Sequence, residues 1–303
     1  MPIRCWIPTA LLCVWSAWAA TPSDSGAKAA HGAIVVACES GVEAYADVLE
    51  GLEAVLPPNA IRVVDFSAAG GGRLLTQALT ASDVRLVIAV GSRALAEVES
   101  RHAVVPVVAA LVLHGAGGGL GSHVDLEIPL SVQLATMRAL WPGRLRVGII
   151  RNPALSRYSA EALEARARKE GYTAVVVDCD EPARLLRAVG ALKGKVDFLL
   201  SFPDPELYNP VTIKPLVLAS LEGRLPIVGF SPAFVRAGAA VGIYPDYREI
   251  GRQTAEMALR LLRGGNCCRE ESPRKIQVAV NQRVARLLGL EFQTEALPVA
   301  VFR

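Results

Sequence analysis

From residue 33 onward the chain alternates short, continuous apolar runs with segments whose apolar residues recur at helical spacing. Residues 33–38 read as a strand ending in Glu39-Ser40-Gly41. After it Tyr45, Val48, Leu49, Leu52, Val55 and Leu56 fall on one face of a helix. Residues 61–66, 85–90 and 104–112 predict three more strands. The first of these runs into Ser67 and a glycine cluster, the second into Gly91-Ser92 and a helix through Leu95 and Val98. The second half repeats this grammar. A strand at 145–150 leads into Arg151-Asn152-Pro153 and a helix over about 156–170. Strands follow at 173–177, 196–200 and 226–230, and Pro203-Asp204-Pro205 opens a helix toward Leu221. Runs that are apolar on consecutive residues, rather than on alternate ones, belong to a parallel sheet covered by helices on both faces.

The two halves echo each other. DVRLVIAVGS at 83–92, leading on to VPVV at 105–108, is matched by KVDFLLSFPD at 195–204, leading on to LPIV at 225–228. Two similar open sheets imply two lobes with strand C-ends at a crevice, and the place for a ligand is between them.

The start of the chain adds a destination. Arg4 supplies a short positive segment, residues 5–20 are apolar except at Pro8, Thr9 and Ser16, and Ala17-Trp18-Ala19 fits a signal-peptidase site. Together they predict a cleaved signal peptide over 1–20 and a periplasmic protein. The competing reading, an uncleaved anchor, meets a run shorter than the roughly 20 apolar residues a span needs. Leu12 before Cys13 argues against lipid attachment there. Residues 21–32 form a polar linker. About 280 residues remain, enough for two domains. The net charge of +3 is unclustered, with no basic block for nucleic acid. Cys38 and Cys179 end strand-like runs, as small buried hydrophobes do, and Cys267-Cys268 sits in a polar loop without zinc spacing.

Four stretches carry a family resemblance: LEGRLPIVGFSPAFVRAGA at 221–239, YPDYREIGRQTA at 244–255, LRG at 262–264 and VNQRVARLLG at 280–289. With the Arg151-Asn152-Pro153 and Phe202-Pro203-Asp204-Pro205 turns, they resemble the ABC-transporter substrate-binding family of the tryptophan/tyrosine-binding type, most densely over 125–290. The resemblance implies a type I periplasmic-binding-protein fold, an α/β architecture of two Rossmann-like open parallel-sheet lobes joined by a three-crossover hinge. Lobe 1 would hold 33–127 plus 246–272, lobe 2 would hold 128–245 plus 273–292, and 293–303 would trail as a tail. It also implies capture of a small solute, such as an amino acid or related carboxylate, for a membrane permease; no cofactor and a monomeric state are expected.

Candidate ligand residues follow from strand ends. Gly91-Ser92 offers free backbone N–H groups at a helix start, which favour a carboxylate, although Ser92 equally suits a plain N-cap. Asp204 holds the equivalent position in the second half. It would either pair with an ammonium or cap the helix that Pro205 begins. Together the two loops would grip an amino acid by its ends. Tyr208 and Asn209 lie one turn on. Glu39, Ser40 and Ser67 end the first two strands, and Asn152 and Tyr158 flank the crevice opposite. Ser231 either faces the pocket or caps the helix near Phe234. Tyr244, Asp246 and Tyr247 fall at the second crossover, where Asp246 reads best as a hinge residue.

Chemistry finds little footing. Gly229-Phe230-Ser231-Pro232-Ala233 only partly mimics a nucleophile elbow. Every histidine (His31, His102, His114, His123) precedes Ser231, whereas the hydrolase order needs one after it. The glycine clusters at 70–72 and 115–121 lack a phosphate loop's Lys-Ser/Thr and read as flexible surface loops. His114, His123, Asp125 and Glu127 form the best metal cluster, but without standard spacing they read as surface residues near a crossover. The alternative to transport is a sensor or scaffold that uses the same fold to regulate a membrane partner.

Overall fold

The computed structural model describes residues 34–113, 121–265 and 270–302. The signal and linker segments, His114, most of the second glycine cluster and Cys267-Cys268 lie outside the described residues. In chain order the elements are β1 (Ile34–Cys38), α1 (Glu43–Glu53), β2 (Ile61–Asp65), α2 (Gly71–Leu79), β3 (Leu86–Val90), α3 (Ser92–Ser100), β4 (Val107–Val112) and β5 (Ser122–Asp125). Next come α4 (Leu130–Leu140), β6 (Arg146–Arg151), α5 (Ala160–Lys169), β7 (Thr173–Asp178), α6 (Leu185–Leu192), β8 (Phe198–Leu200), α7 (Pro210–Glu222) and β9 (Ile227–Gly229). The chain ends with α8 (Pro232–Ala237), β10 (Val241–Pro245), α9 (Tyr247–Leu262), β11 (Glu270–Glu271), β12 (Ile276–Asn281), α10 (Gln282–Leu288) and β13 (Val299–Phe302).

Two sheets result. The first is parallel throughout, in the order β11-β5-β4-β3-β1-β2. The second runs β13-β12-β10-β9-β8-β6-β7, and only β10 and β12 pair antiparallel. Strands apolar on every residue bury both faces, as β1 and β3 do completely. In the first lobe Val36, Ile88 and Val108 meet Ile250 and Met257 of α9 on one face, while Val35, Val87 and Ala109 meet Leu75 and Leu95 on the other.

The chain passes between the sheets after β5, between β10 and α9, and between β11 and β12. The last two crossings are tied together. The Asp246 amide donates to the Lys275 carbonyl at 2.9 Å, and the Asp246 carboxylate takes both Lys275 Nζ and Gln277 Nε2 at 2.9 Å. Buried Gln253 donates to the Ser272 carbonyl and accepts from the Arg274 amide.

Several expectations are corrected. The helix expected from Pro205 begins at Pro210, because Asp204 accepts the amides of Glu206 and Leu207 into a turn. Asn209 then caps α7 with Thr212 in a reciprocal capping box. The strand expected from residue 104 starts at Val107, beyond Pro106, and leaves Val104 98% exposed. The helix expected from about 156 starts at Ala160 behind its Ser159 cap, so residues 156–158 remain a loop. The glycine cluster at 70–72 is a helix start rather than a surface loop: Gly70 turns at φ +79°, and Gly71 packs where a Cβ would lie 2.3 Å from the Asp65 carbonyl. Residues 293–302 do not trail as a tail. Alternating Val299 and Val301 complete the sheet as β13 against the otherwise open edge of β12.

Candidate functional site

A cavity of about 480 Å³ lies between the lobes at the C-terminal ends of β3, β4, β6 and β8. The first lobe contributes Ser92, Leu113 and Glu127, and the second contributes the loops after β6 and β8. Ile150, Leu163, Phe202, Tyr158 and Tyr208 make an apolar wall. The charged lining is Glu127, Asp204, Arg151 and Arg157, with Glu206 just outside it.

Of the residues marked at strand ends, Ser92, Tyr158, Asp204 and Tyr208 come together here. Gly91, at φ +91°, is the N-cap of α3, so Ser92 occupies the first turn rather than the cap. Asp204 is 9% exposed. Its Oδ1 accepts two backbone amides at 2.9 Å, and no hydrogen bond or ion pair among the described residues reaches Oδ2. It therefore forms its turn and also faces the cavity. Burial raises its carboxyl above the usual range, against the pull of those amides. Tyr208 is buried against Phe230 and Phe234, with its hydroxyl 3.5 Å from the Ile150 carbonyl, and burial raises its phenol. Tyr158 lies between Arg157 and Arg166, whose guanidinium is 4.0 Å from the ring centre.

The remaining candidates are engaged elsewhere. Glu39 pairs with Arg93. Ser40 and Ser67 both serve Asp65, whose carboxyl their hydrogen bonds lower to about 2. Asn152 is buried, donating to Glu206 at 2.8 Å and accepting from the Ala154 amide. Asn209 is a helix cap. Ser231, Tyr244 and Asp246 line a second crevice of about 1220 Å³, wider and more open, beside the crossovers. Ser231 there caps α8, Tyr244 stacks on Tyr247 with ring centres 6.3 Å apart, and Asp246 caps α9. Charges around this crevice neutralise one another, as in Arg236–Glu43 at 3.2 Å across the lobes and Lys275–Asp246. The interlobe cavity, with unmatched carboxyls, is the better candidate binding site.

The sequence reading left out Glu127, Arg151 and Arg157 as cleft residues. Arg151 is held by Asp178 at 2.7 Å and by the Tyr158 carbonyl. Arg157, from the second lobe, pairs with Glu270 and lies 3.6 Å from Asp125 of the first. His123, Asp125 and Glu270 bring ligand atoms within 4.8 Å of one another. His123 and Asp125 are buried on β5, not surface residues as expected, because β5 sits inside the sheet between β4 and β11. Arg157 already supplies this cluster with a cation, so it reads as an interlobe ion pair. A carboxylate directly before a crossover was the available signal for Glu127.

Two lobes with a ligand-sized cavity at opposed strand ends have the architecture of a solute-binding protein. A profile of the ABC transporter substrate binding protein family matches residues 33–301, and the chain belongs to that family. Its members bind solutes rather than transform them. The tyrosine-binding protein of Clostridioides difficile (strain R20291) is 27% identical over 164 residues, 52% of this chain and 46% of that one. The match thus spans about half the length of that relative. Two solved structures share the fold. The ligand-free, open form of a substrate binding protein with adhesive properties from Clostridium difficile is 17% identical, with a TM-score of 0.68 over 89% of this chain and 98% of that one. The ABC domain in complex with L-Trp from Streptococcus pneumonia is 19% identical, with a TM-score of 0.63 over 90% and 100%.

Proposed function

We propose that this chain is the extracytoplasmic solute receptor of an ABC transporter, closing its lobes on a small solute that it presents to a membrane permease. The observation that carries the reading is Asp204: nine-tenths buried, aimed into an interlobe cavity, with one carboxylate oxygen left for a ligand. Ser92, in the first turn of α3, places helix N-terminal amides on the facing lobe, where a ligand carboxylate is favoured. The similarity to a tyrosine-binding protein and to a fold seen with L-Trp supports an amino acid or a related carboxylate. The signal-like sequence of residues 1–20 supports export, and no described helix is long and apolar enough to cross a membrane. A sensor on the same fold is favoured by one observation. Glu39, Ser40 and Ser67 are spent within the first lobe, which leaves that lobe few ligand groups.

A solute that binds only the folded state raises the melting temperature. Thermal-shift measurements against the common amino acids and amines are expected to give a rise with at least one, lost in Asp204→Asn. A protein whose melting temperature no small solute moves would not be a transport receptor.

A further inference from the structure

We infer that the cleft selects a net-cationic solute, one with more ammonium groups than carboxylates, held by Glu127 of the first lobe and Asp204 of the second. This rests on the solute-receptor reading above and narrows it. Four charged side chains line the cavity, and the two positive ones are already matched: Arg151 by Asp178, and Arg157 by Glu270 and Asp125. The two carboxyls have no such match. Among the described residues no hydrogen bond or ion pair reaches the Glu127 side chain, and none reaches Asp204 Oδ2. A lone zwitterion bound between Ser92 and Asp204 would leave Glu127 facing it uncompensated. A second ammonium satisfies it, and charge-assisted hydrogen bonds are the strong ones.

The surroundings of Glu127 agree. Burial, then Asp125 beside it and Glu270 on β11, push its carboxyl up to about 7, while Arg157 from the second lobe pulls the other way. His123, on β5, faces Asp125 rather than Glu127. Asp204 across the cavity is raised in the same direction. Both groups are thus costly to ionise with the cleft empty, and an incoming cation offsets that cost. The sign follows. The ligand needs Glu127 ionised, so affinity is full above about 7 and falls as pH drops below it, by about tenfold per unit at the limit.

Titration calorimetry on the full chain tests this with L-lysine, 1,4-diaminobutane, L-tyrosine and L-tryptophan as probes. Lysine or diaminobutane is expected to bind in preference to the other two. Glu127→Gln should weaken that binding about tenfold or more and flatten its pH dependence, while Glu127→Asp keeps the slope. Preference for lysine would show that the helix start at Ser92 takes a carboxylate. Preference for the diamine would show that it does not, and either result supports a cationic solute. Tyrosine or tryptophan bound in preference, with Glu127→Gln unchanged, would overturn the inference and leave the receptor reading intact. A thermal response confined to other neutral or anionic solutes would do the same. No response to any solute would remove both.

Discussion

At Gly91 a single hydrogen atom decides whether the loop after β3 can form. The residue turns at φ +91° and ψ 157°, a region open essentially to glycine, and a Cβ there would lie 2.2 Å from the Tyr45 hydroxyl. Gly91→Ala is therefore expected to cost about 2 kcal/mol, read as a lower urea midpoint with unchanged slope. Strand-end logic in the sequence marked Ser92 and Asp204, which line one cavity, because a parallel strand's C-end is visible as the point where an apolar run stops. The same logic failed for Glu39, Ser40 and Ser67. They do lie at strand ends, yet Arg93 and Asp65 take them up, and side-chain pairing between neighbouring loops leaves no trace in the pattern. Glu127 was missed for a related reason: β5 is a four-residue strand with a polar composition, so its end was not visible as one.

Among the elements, α1 and α9 cross at close range. A Cβ on Gly51 would lie 2.1 Å from the Arg248 carbonyl, and one on Gly251 would lie 2.2 Å from the Val48 carbonyl, so the two backbones touch. Gly251→Ala should force the helices apart and destabilise by about 2 kcal/mol. Gly190 in α6 is exposed with no atom within 4 Å of its added Cβ, so Gly190→Ala should stabilise by up to about 1 kcal/mol. Thermal melts of the two variants should move in opposite directions. Buried strands and the amphipathic α1 were readable because continuous and 3.6-residue apolar periods differ. Boundaries were not, where local hydrogen bonding competes. Pro205 looked like a helix start until Asp204 closed its own turn, and the true start at Pro210 carries an equally good proline with a better cap in Asn209.

For the whole molecule, the crossovers decide what moves. Asp246, Lys275, Gln277 and Gln253 lace the second and third crossings together, while Arg157 reaches over the cleft to Asp125 and Glu270. The proposed closure around a solute would turn two sheets joined in this way about these crossings. The two-lobed architecture was legible from internal repetition, and its similarity to known binding proteins from the 221–289 stretches. The occupant was not, because cavity charge depends on which arginines are already paired. The most direct test of a solute bridging both lobes is hydrogen exchange with and without the solute that gives the largest thermal shift. Slowed exchange is expected together at residues 91–95 and 126–128 of the first lobe and at 202–208 of the second. Protection confined to one lobe, or located away from this cavity, would contradict the account.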